Sequence, residues 1–444
     1  MKKKIISLLN YKNCLVGIFC LLAVSVGLFN IHYISGIAGP DPNRHFRIAT
    51  GIASGNITVL FFKNHGNLDT NTPPTIIIPE EYEKLTSCAK NSGVEEELNY
   101  FDRDCIRNFK FDANNKNNVN TSVDIQMPMF SYIPQAIGMK IGMILNQSPV
   151  FSLNLARLFN LLFYILCFAL SIRLIPRGKI FIALFGLIPG SLFIASSING
   201  DSAMISLTTL FTCYIYYCFS KKQILDKRQV IILIMLGSFL FALKIAYIPL
   251  FILVLSLGKN VIKCKYKWIL FIVVGSIGSA LYLIWEKLVG YQSIDDNVMK
   301  IWHEQKIWIV THPLHVLVSI LRNMLIELGG FLKLGSGPFD WSIPLLLLAI
   351  ILYSVTLKYK KIGSVKSFFS EYKMVLLSAL ALFGCMFLSI FAMLLTWTPY
   401  TDYMHIIGFQ DRYLFELLPL LLVFMQIGKP KNKELAKELT DENC

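Results

Sequence analysis

Charge is what this sequence has least of. Of its 444 residues only 16% are Asp, Glu, Lys or Arg, against 55% hydrophobic, and a surface facing water on all sides needs far more charge than that. A soluble domain is excluded. Also missing are the CxxC or His-rich spacings of a structural metal site and the basic stripe with interleaved aromatics of a nucleic-acid binder. No fixed-period repeat of the kind found in inverted-repeat transporters is visible. The first apolar run, "CLVGIFCLLAVSVGLFNIHYI" at 14–34, lacks a small-residue cleavage site and is too long for a signal peptide. At about 20 residues it can cross roughly 30 Å of hydrocarbon, so it is read as a permanent span.

What is present is a pattern of apolar runs divided by short basic clusters. Lys and Arg total 42 against 28 acids, a net charge of +14. The clusters at Lys2–Lys4, Arg173/Arg177/Lys179, Lys221/Lys222/Lys227/Arg228, Lys259/Lys263/Lys265/Lys267, Lys358/Lys360/Lys361 and Lys429/Lys431/Lys433 fall on one side if both termini are cytoplasmic, as the positive-inside rule requires. The spans drawn on this basis are 14–34, 151–173, 179–197, 203–219, 229–243, 246–258, 268–286, 340–357, 373–396 and 413–428. The expected fold is thus an all-α polytopic membrane protein of about ten transmembrane helices, within a range of roughly nine to twelve, forming one integral membrane domain. Two long loops fall outside, 35–150 and 287–339. Each closes on an amphipathic stretch, near 130–146 and 313–333, expected to lie along the interface. Most cysteines lie within spans and act as small apolar residues; Cys88 and Cys105 share the first outer loop, where an oxidising exterior allows them to pair.

With this topology the ionisable residues of the outer side gather at helix ends. Asp41, Arg44, His45 and Arg47 crowd seven positions after the first span. A carboxylate among cations stays ionised. Asp201 and Asn199 lie in "SSINGDSAM", Asp340 in "GPFDWSIP", and His405, Gln410, Asp411, Arg412 and Tyr413 ahead of the last span. Asn154, Arg157 and Asn160 form a polar stripe at helical spacing, and Lys244 interrupts "FALKIAYIPL", where facing lipid would be costly. Each has a plain structural reading as well: Asp201 and Asp340 as helix caps, Arg412 as a snorkelling side chain, and the tryptophans near the outer side as an interfacial belt.

These stretches together resemble a bacterial family of membrane proteins known as domain of unknown function 2142, itself similar to the GT-C superfamily of glycosyltransferases that use polyprenyl-phosphate sugars. The resemblance runs over nearly the whole chain. Pro40, Asp41, His45 and Phe46 match its opening Pro-Asp-Glu-x-x-His-Phe motif; Ser197, Asn199 and Asp201 its Ser-x-Asn-x-Asp connection; Gly408, Gln410, Arg412 and Tyr413 its Gly-x-Gln-Gly-Arg-Tyr motif. "MPMFSYIPQAIG" and "LNLARLFN" are similar as well. The chain departs at Pro42, where the family has Glu, and at Asp411, where it has Gly. The first departure removes a carboxylate from any metal site built beside Asp41.

The resemblance implies a GT-C-like fold and inverting transfer of a sugar from a polyprenyl-phosphate carrier to a glycan acceptor of the cell surface or wall, on the extracytoplasmic face of the plasma membrane. Phosphate is already a stable leaving group, so the reaction needs a base for the acceptor proton and cations for the phosphate. Asp41 is the expected base, His45 orients it or contacts the phosphate, and Asp201 is a further acid that binds acceptor or metal. Arg412, whose planar guanidinium can bind two phosphate oxygens, is expected to hold the donor with Arg44, Arg47, Lys244, Gln410 and Tyr413. Asp340, Asn199 and Arg157 are secondary or acceptor-side candidates. The residues name no certain cofactor, and a divalent cation is compatible with the acids. The expected partners are the lipid-linked sugar, the glycan acceptor and the bilayer, with no nucleic acid. A polysaccharide polymerase or ligase shares the same donor chemistry; a lipid-linked glycan flippase or transporter would instead need charge at the bilayer midplane, and a non-catalytic assembly partner would be indifferent to loss of Asp41.

Overall fold

The computed structural model describes residues 11–34, 42–55, 75–91, 99–101, 103–122, 128–221, 223–289, 296–332, 342–359, 369, 372–396, 398–399, 403–410 and 412–430. It is mostly helical. The first span is helix α1 (Tyr11–Tyr33), followed by the short amphipathic α2 (Pro42–Ser54). The first loop then holds a small mixed unit: strand β1 (Thr75–Pro79), α3 (Glu80–Thr86), β2 (Ala89–Asn91), β3 (Asn99–Phe101), α4 (Arg103–Arg107) and β4 (Asn118–Ser122). β1 pairs antiparallel with β4, Thr75 opposite Ser122, and β2 with β3. An all-α reading does not extend to this loop, where β-branched residues such as Ile76, Ile77 and Ile78 supply strand surface. A disulfide joins Cys88 to Cys105, and Arg47 clasps Glu83, with Nε 2.9 Å from Oε2. The unit also docks through Tyr82, whose hydroxyl lies 2.8 Å from Ser152 Oγ.

Helix α5 (Ile133–Ile144), the expected interfacial element, lies tightly along α6 (Pro149–Leu174). Its glycines decide this. A Cβ on Gly138 would overlap the backbone of Leu155, and one on Gly142 would overlap Ser152, so the two helices touch almost backbone to backbone. Helix α6 begins with Ser148 accepting from the amide of Phe151 at 3.2 Å and with Pro149 at the first helical position, where a missing N–H costs nothing.

The expected span at 179–197 is two pieces, α7 (Lys179–Gly186) and α8 (Pro189–Ala195), parted by Pro189. Then come α9 (Asp201–Ser220) and α10 (Lys227–Leu243), the latter opened by a reciprocal cap between Asp226 and Gln229. The division expected near Lys244 is present: Lys244 is extended, and Ile245–Ser256 continues as a 3-10 helix containing Pro249. At about 2 Å rise per residue it covers nearly the thickness of the hydrocarbon despite its few residues. Helix α11 (Cys264–Val289) follows. Helices α12 (Asp296–Thr311) and α13 (Pro313–Leu332) meet at a 102° bend, because the residue before a proline is pushed out of helical conformation. Helices α14 (Ser342–Val355) and α15 (Lys373–Thr396) come next. The expected last span at 413–428 is a chain of short turns, α16 (Arg412–Phe415), a 3-10 turn at Leu418–Leu422 around Pro419, and α17 (Val423–Ile427). Two-residue strands β5 (Leu357–Lys358) and β6 (Lys429–Pro430) pair beside it.

Among the described residues five helices are long and apolar enough to cross a membrane, Asn13–Tyr33, Pro149–Leu174, Asp201–Ser220, Lys265–Ile284 and Lys373–Thr396, or six if the bent pair is one broken span. The remaining expected spans are shorter or interrupted. A single core cluster runs through the bundle, from Phe19 and Phe168 through Phe211 and Tyr216 to Leu420 and Leu422.

Candidate functional site

Three helix beginnings meet at one end of the bundle. Asp201 is the first residue of α9, and Asn199 Oδ1 accepts its amide at 2.7 Å. Gly200 holds the N-cap position and no side chain caps the helix, so the Asp201 carboxylate is not engaged in capping. It pairs instead with Arg412, the first residue of α16, Oδ2 lying 2.6 Å from Nε. Only 5% of the Asp201 side chain and 15% of the Arg412 side chain is exposed, so water screens the pair poorly. Gly408 makes the approach to Arg412 possible, since its φ of +95° is strained for any residue with a Cβ.

His45, from the first turns of α2, joins the same centre. It is 3% exposed and its Nδ1 lies 2.7 Å from the Tyr132 hydroxyl. Burial pushes its pKa down to about 3, and the positive charges of Arg44 and Arg412 act in the same direction while Asp201 opposes them. The imidazole is therefore neutral at pH 7. Lys244, at the break after α10, places Nζ 3.6 Å from the centre of the Tyr413 ring and 5.0 Å from that of Tyr247; the Arg412 guanidinium lies 5.4 Å from the same Tyr413 ring. Gln410 borders the site through its carbonyl, which accepts the Tyr413 amide at 3.0 Å.

The polar stripe on α6 has another use. Arg157 donates to the carbonyls of Asn30, Ile31 and Ile34 at 3.0, 3.1 and 3.2 Å and to that of Ser196 at 2.7 Å, closing the C-terminus of α1 onto the 196–199 connection. Asn160 holds the Ser197 carbonyl at 2.9 Å and Gln135 that of Asn199 at 2.8 Å. These residues build the wall that carries Asp201. Arg47 points to Glu83 in the loop unit. Asp41, Asp340 and Asp411 lie outside the described residues; Asp41 directly precedes Pro42, where α2 begins, three residues from Arg44 and four from His45. His405 is exposed, away from the buried pair.

Sequence reasoning missed Tyr132, Gln135 and, above all, Glu416. Glu416 is 1% exposed, and Lys244, Asp201 and Arg412 all act on it electrostatically. Its signal was available: one acid inside the apolar stretch "YLFELLPLLL" is a costly residue that marks a functional centre by default. Among the described residues no group of three or more His, Cys, Asp or Glu comes together as a metal site.

A family model described as a predicted membrane protein (DUF2142) matches residues 26–421. No curated protein matches the chain, and no solved structure does.

Proposed function

The chain belongs to the DUF2142 family of predicted membrane proteins, and from that premise we propose that it is a membrane glycosyltransferase of GT-C type, moving a sugar from a polyprenyl-phosphate carrier to a cell-surface or cell-wall glycan. The observation that carries this reading is the convergence of Arg412 and Lys244 with Asp201 and the start of α2 at one end of the bundle. A lipid-borne donor needs a site at headgroup depth, and this one is formed from helix ends.

In this reading Asp201 holds the Arg412 guanidinium through Nε, and the terminal amino groups take oxygens of the carrier phosphate. Lys244 adds a second positive charge as the phosphate leaves. Asp41 takes the proton of the acceptor hydroxyl as it attacks the anomeric carbon from the face opposite the phosphate, with neutral His45, held by Tyr132, as its partner. Sugar transfer then inverts that carbon. The site lies on the extracytoplasmic side, with both termini cytoplasmic: the Cys88–Cys105 disulfide belongs in an oxidising compartment, and the basic clusters fall opposite. The ten-span topology is part of the same proposal, its shorter members being α7 with α8, α10, the 3-10 helix, α14 and the broken last segment. The test is Asp41→Asn in the full chain: transfer from a labelled polyprenyl-phosphate hexose is lost while membrane insertion and binding of the carrier persist. Undiminished transfer by that variant would refute the assignment.

A further inference from the structure

One half of the charge centre is closed and the other is open. Asp201 and Arg412 are in direct contact at 2.6 Å. Lys244 Nζ and the Glu416 carboxylate, by contrast, are buried and form no ion pair with each other, and Lys244 Nζ has no hydrogen-bond partner among the described residues. The Tyr247 hydroxyl is close to Glu416 but donates to the Tyr413 carbonyl at 3.0 Å; the Cys385 thiol lies on the same side. Lys244 rests instead on the Tyr413 ring, a cation–π contact that steadies an ammonium without using its three donors.

With all four groups ionised, the acids Asp201 and Glu416 balance the cations Arg412 and Lys244, and His45 is neutral. Neutrality explains how so many ionisable groups are tolerated at low exposure, since an uncompensated buried charge is expensive. It does not explain why Lys244 and Glu416 stand apart. A finished structural pair would close into direct contact, as Asp201 and Arg412 do. An ammonium whose donors find no hydrogen-bond partner among the described residues, balanced by a carboxylate with which it forms no ion pair, is arranged to exchange one anion for another.

Resting on the reading above, we propose that Glu416 is the resident counter-ion of an anion site formed by Lys244 and Arg412, holding the ammonium in charge balance until the phosphate of the lipid carrier takes its place. Glu416 is then a positioning residue: it never touches the sugar, and its negative charge opposes the incoming phosphate. The consequence is contrary to what a merely structural acid would show. Removing the charge strengthens binding.

The test measures affinity for polyprenyl monophosphate, with polyprenol as the phosphate-free control, on the full chain in detergent micelles by fluorescence titration. Glu416→Gln, neutral and of the same shape, should bind the monophosphate about tenfold more tightly, the scale expected for removing one like charge several ångströms away at intermediate dielectric, and should bind polyprenol as wild type does. Glu416→Asp, which keeps the charge, should stay within about twofold of wild type. Glu416→Leu carries the same expectation as Gln should the Gln variant prove unstable. Unchanged or weaker binding by the neutral variants, an equal gain for polyprenol, or a gain in the Asp variant would overturn the inference while leaving the phosphate site standing. If wild type does not distinguish the monophosphate from polyprenol, the transferase reading of Arg412 and Lys244 fails, and the inference with it.

Discussion

Asp201→Ala removes the carboxylate from a guanidinium that sits 2.6 Å away with 15% of its side chain exposed. Separating the partners of a buried pair costs about 3–5 kcal/mol, because the orphaned charge keeps its desolvation penalty and loses its compensation. Replacing both by neutral polar groups, Asp201→Asn with Arg412→Gln, should cost far less, since neither charge then remains. The structure thus predicts strong non-additivity: each single variant, Asp201→Asn or Arg412→Gln, loses more stability than the double, with a coupling of about 2–3 kcal/mol. In detergent the apparent thermal midpoint of each single variant should fall by on the order of 5 °C, read by fluorescence-detected size exclusion, and that of the double should recover most of it. All three variants should lose sugar transfer, so stability and activity separate cleanly in the double. If the double falls by the sum of the two singles, the side chains do not share a pair and the centre has been misassigned.

Two further predictions concern the loop between α1 and α6 and its junction with the bundle. His45 is buried with its pKa lowered to about 3 from about 6.5 in an unfolded chain, so between these values the unfolded state binds the extra proton; the contribution is complete above pH 6.5 and is lost as pH falls. About 3 kcal/mol should disappear between pH 6.5 and pH 4, seen as a falling thermal midpoint, and His45→Gln should flatten that slope; an identical slope in the variant would contradict the burial. The Cys88–Cys105 bridge closes a loop with a sequence separation of 17, a constraint worth about 3 kcal/mol in a chain-entropy estimate. Cys88→Ser with Cys105→Ser should therefore speed proteolysis between residues 75 and 122 without changing extraction from the membrane, and maleimide labelling that found both thiols free in unreduced wild type would refute the bridge.

Much of the architecture was readable along the chain because its physical causes are local. Length and apolarity alone pick out α1, α6, α9, α11 and α15, each long enough to satisfy its own backbone hydrogen bonds across hydrocarbon. The proline at 249 and the lysine at 244 likewise announce the break after α10. Less visible were the interruptions at Pro189 and Pro419, where uniformly apolar sequence conceals a discontinuous helix. The chemistry was legible as residue types at helix ends, and the roles were not. Arg157 and Arg412 look alike in sequence, both arginines near a span terminus. One gives its donors to four backbone carbonyls and the other meets a carboxylate.

By itself, then, the sequence determined that the chain enters a membrane and which helices are long enough to cross it, because hydrophobic burial and backbone satisfaction depend on composition over about 20 neighbouring residues. Only the tertiary structure decided which charges face one another. Asp201 and Arg412 are separated by more than two hundred positions, and Lys244 and Glu416 come from different broken segments. Their convergence at one end of the bundle depends on the Asn199 side chain that takes the Asp201 amide and on prolines that interrupt helices. Electrostatic energy falls with distance in space and takes no account of distance along the chain.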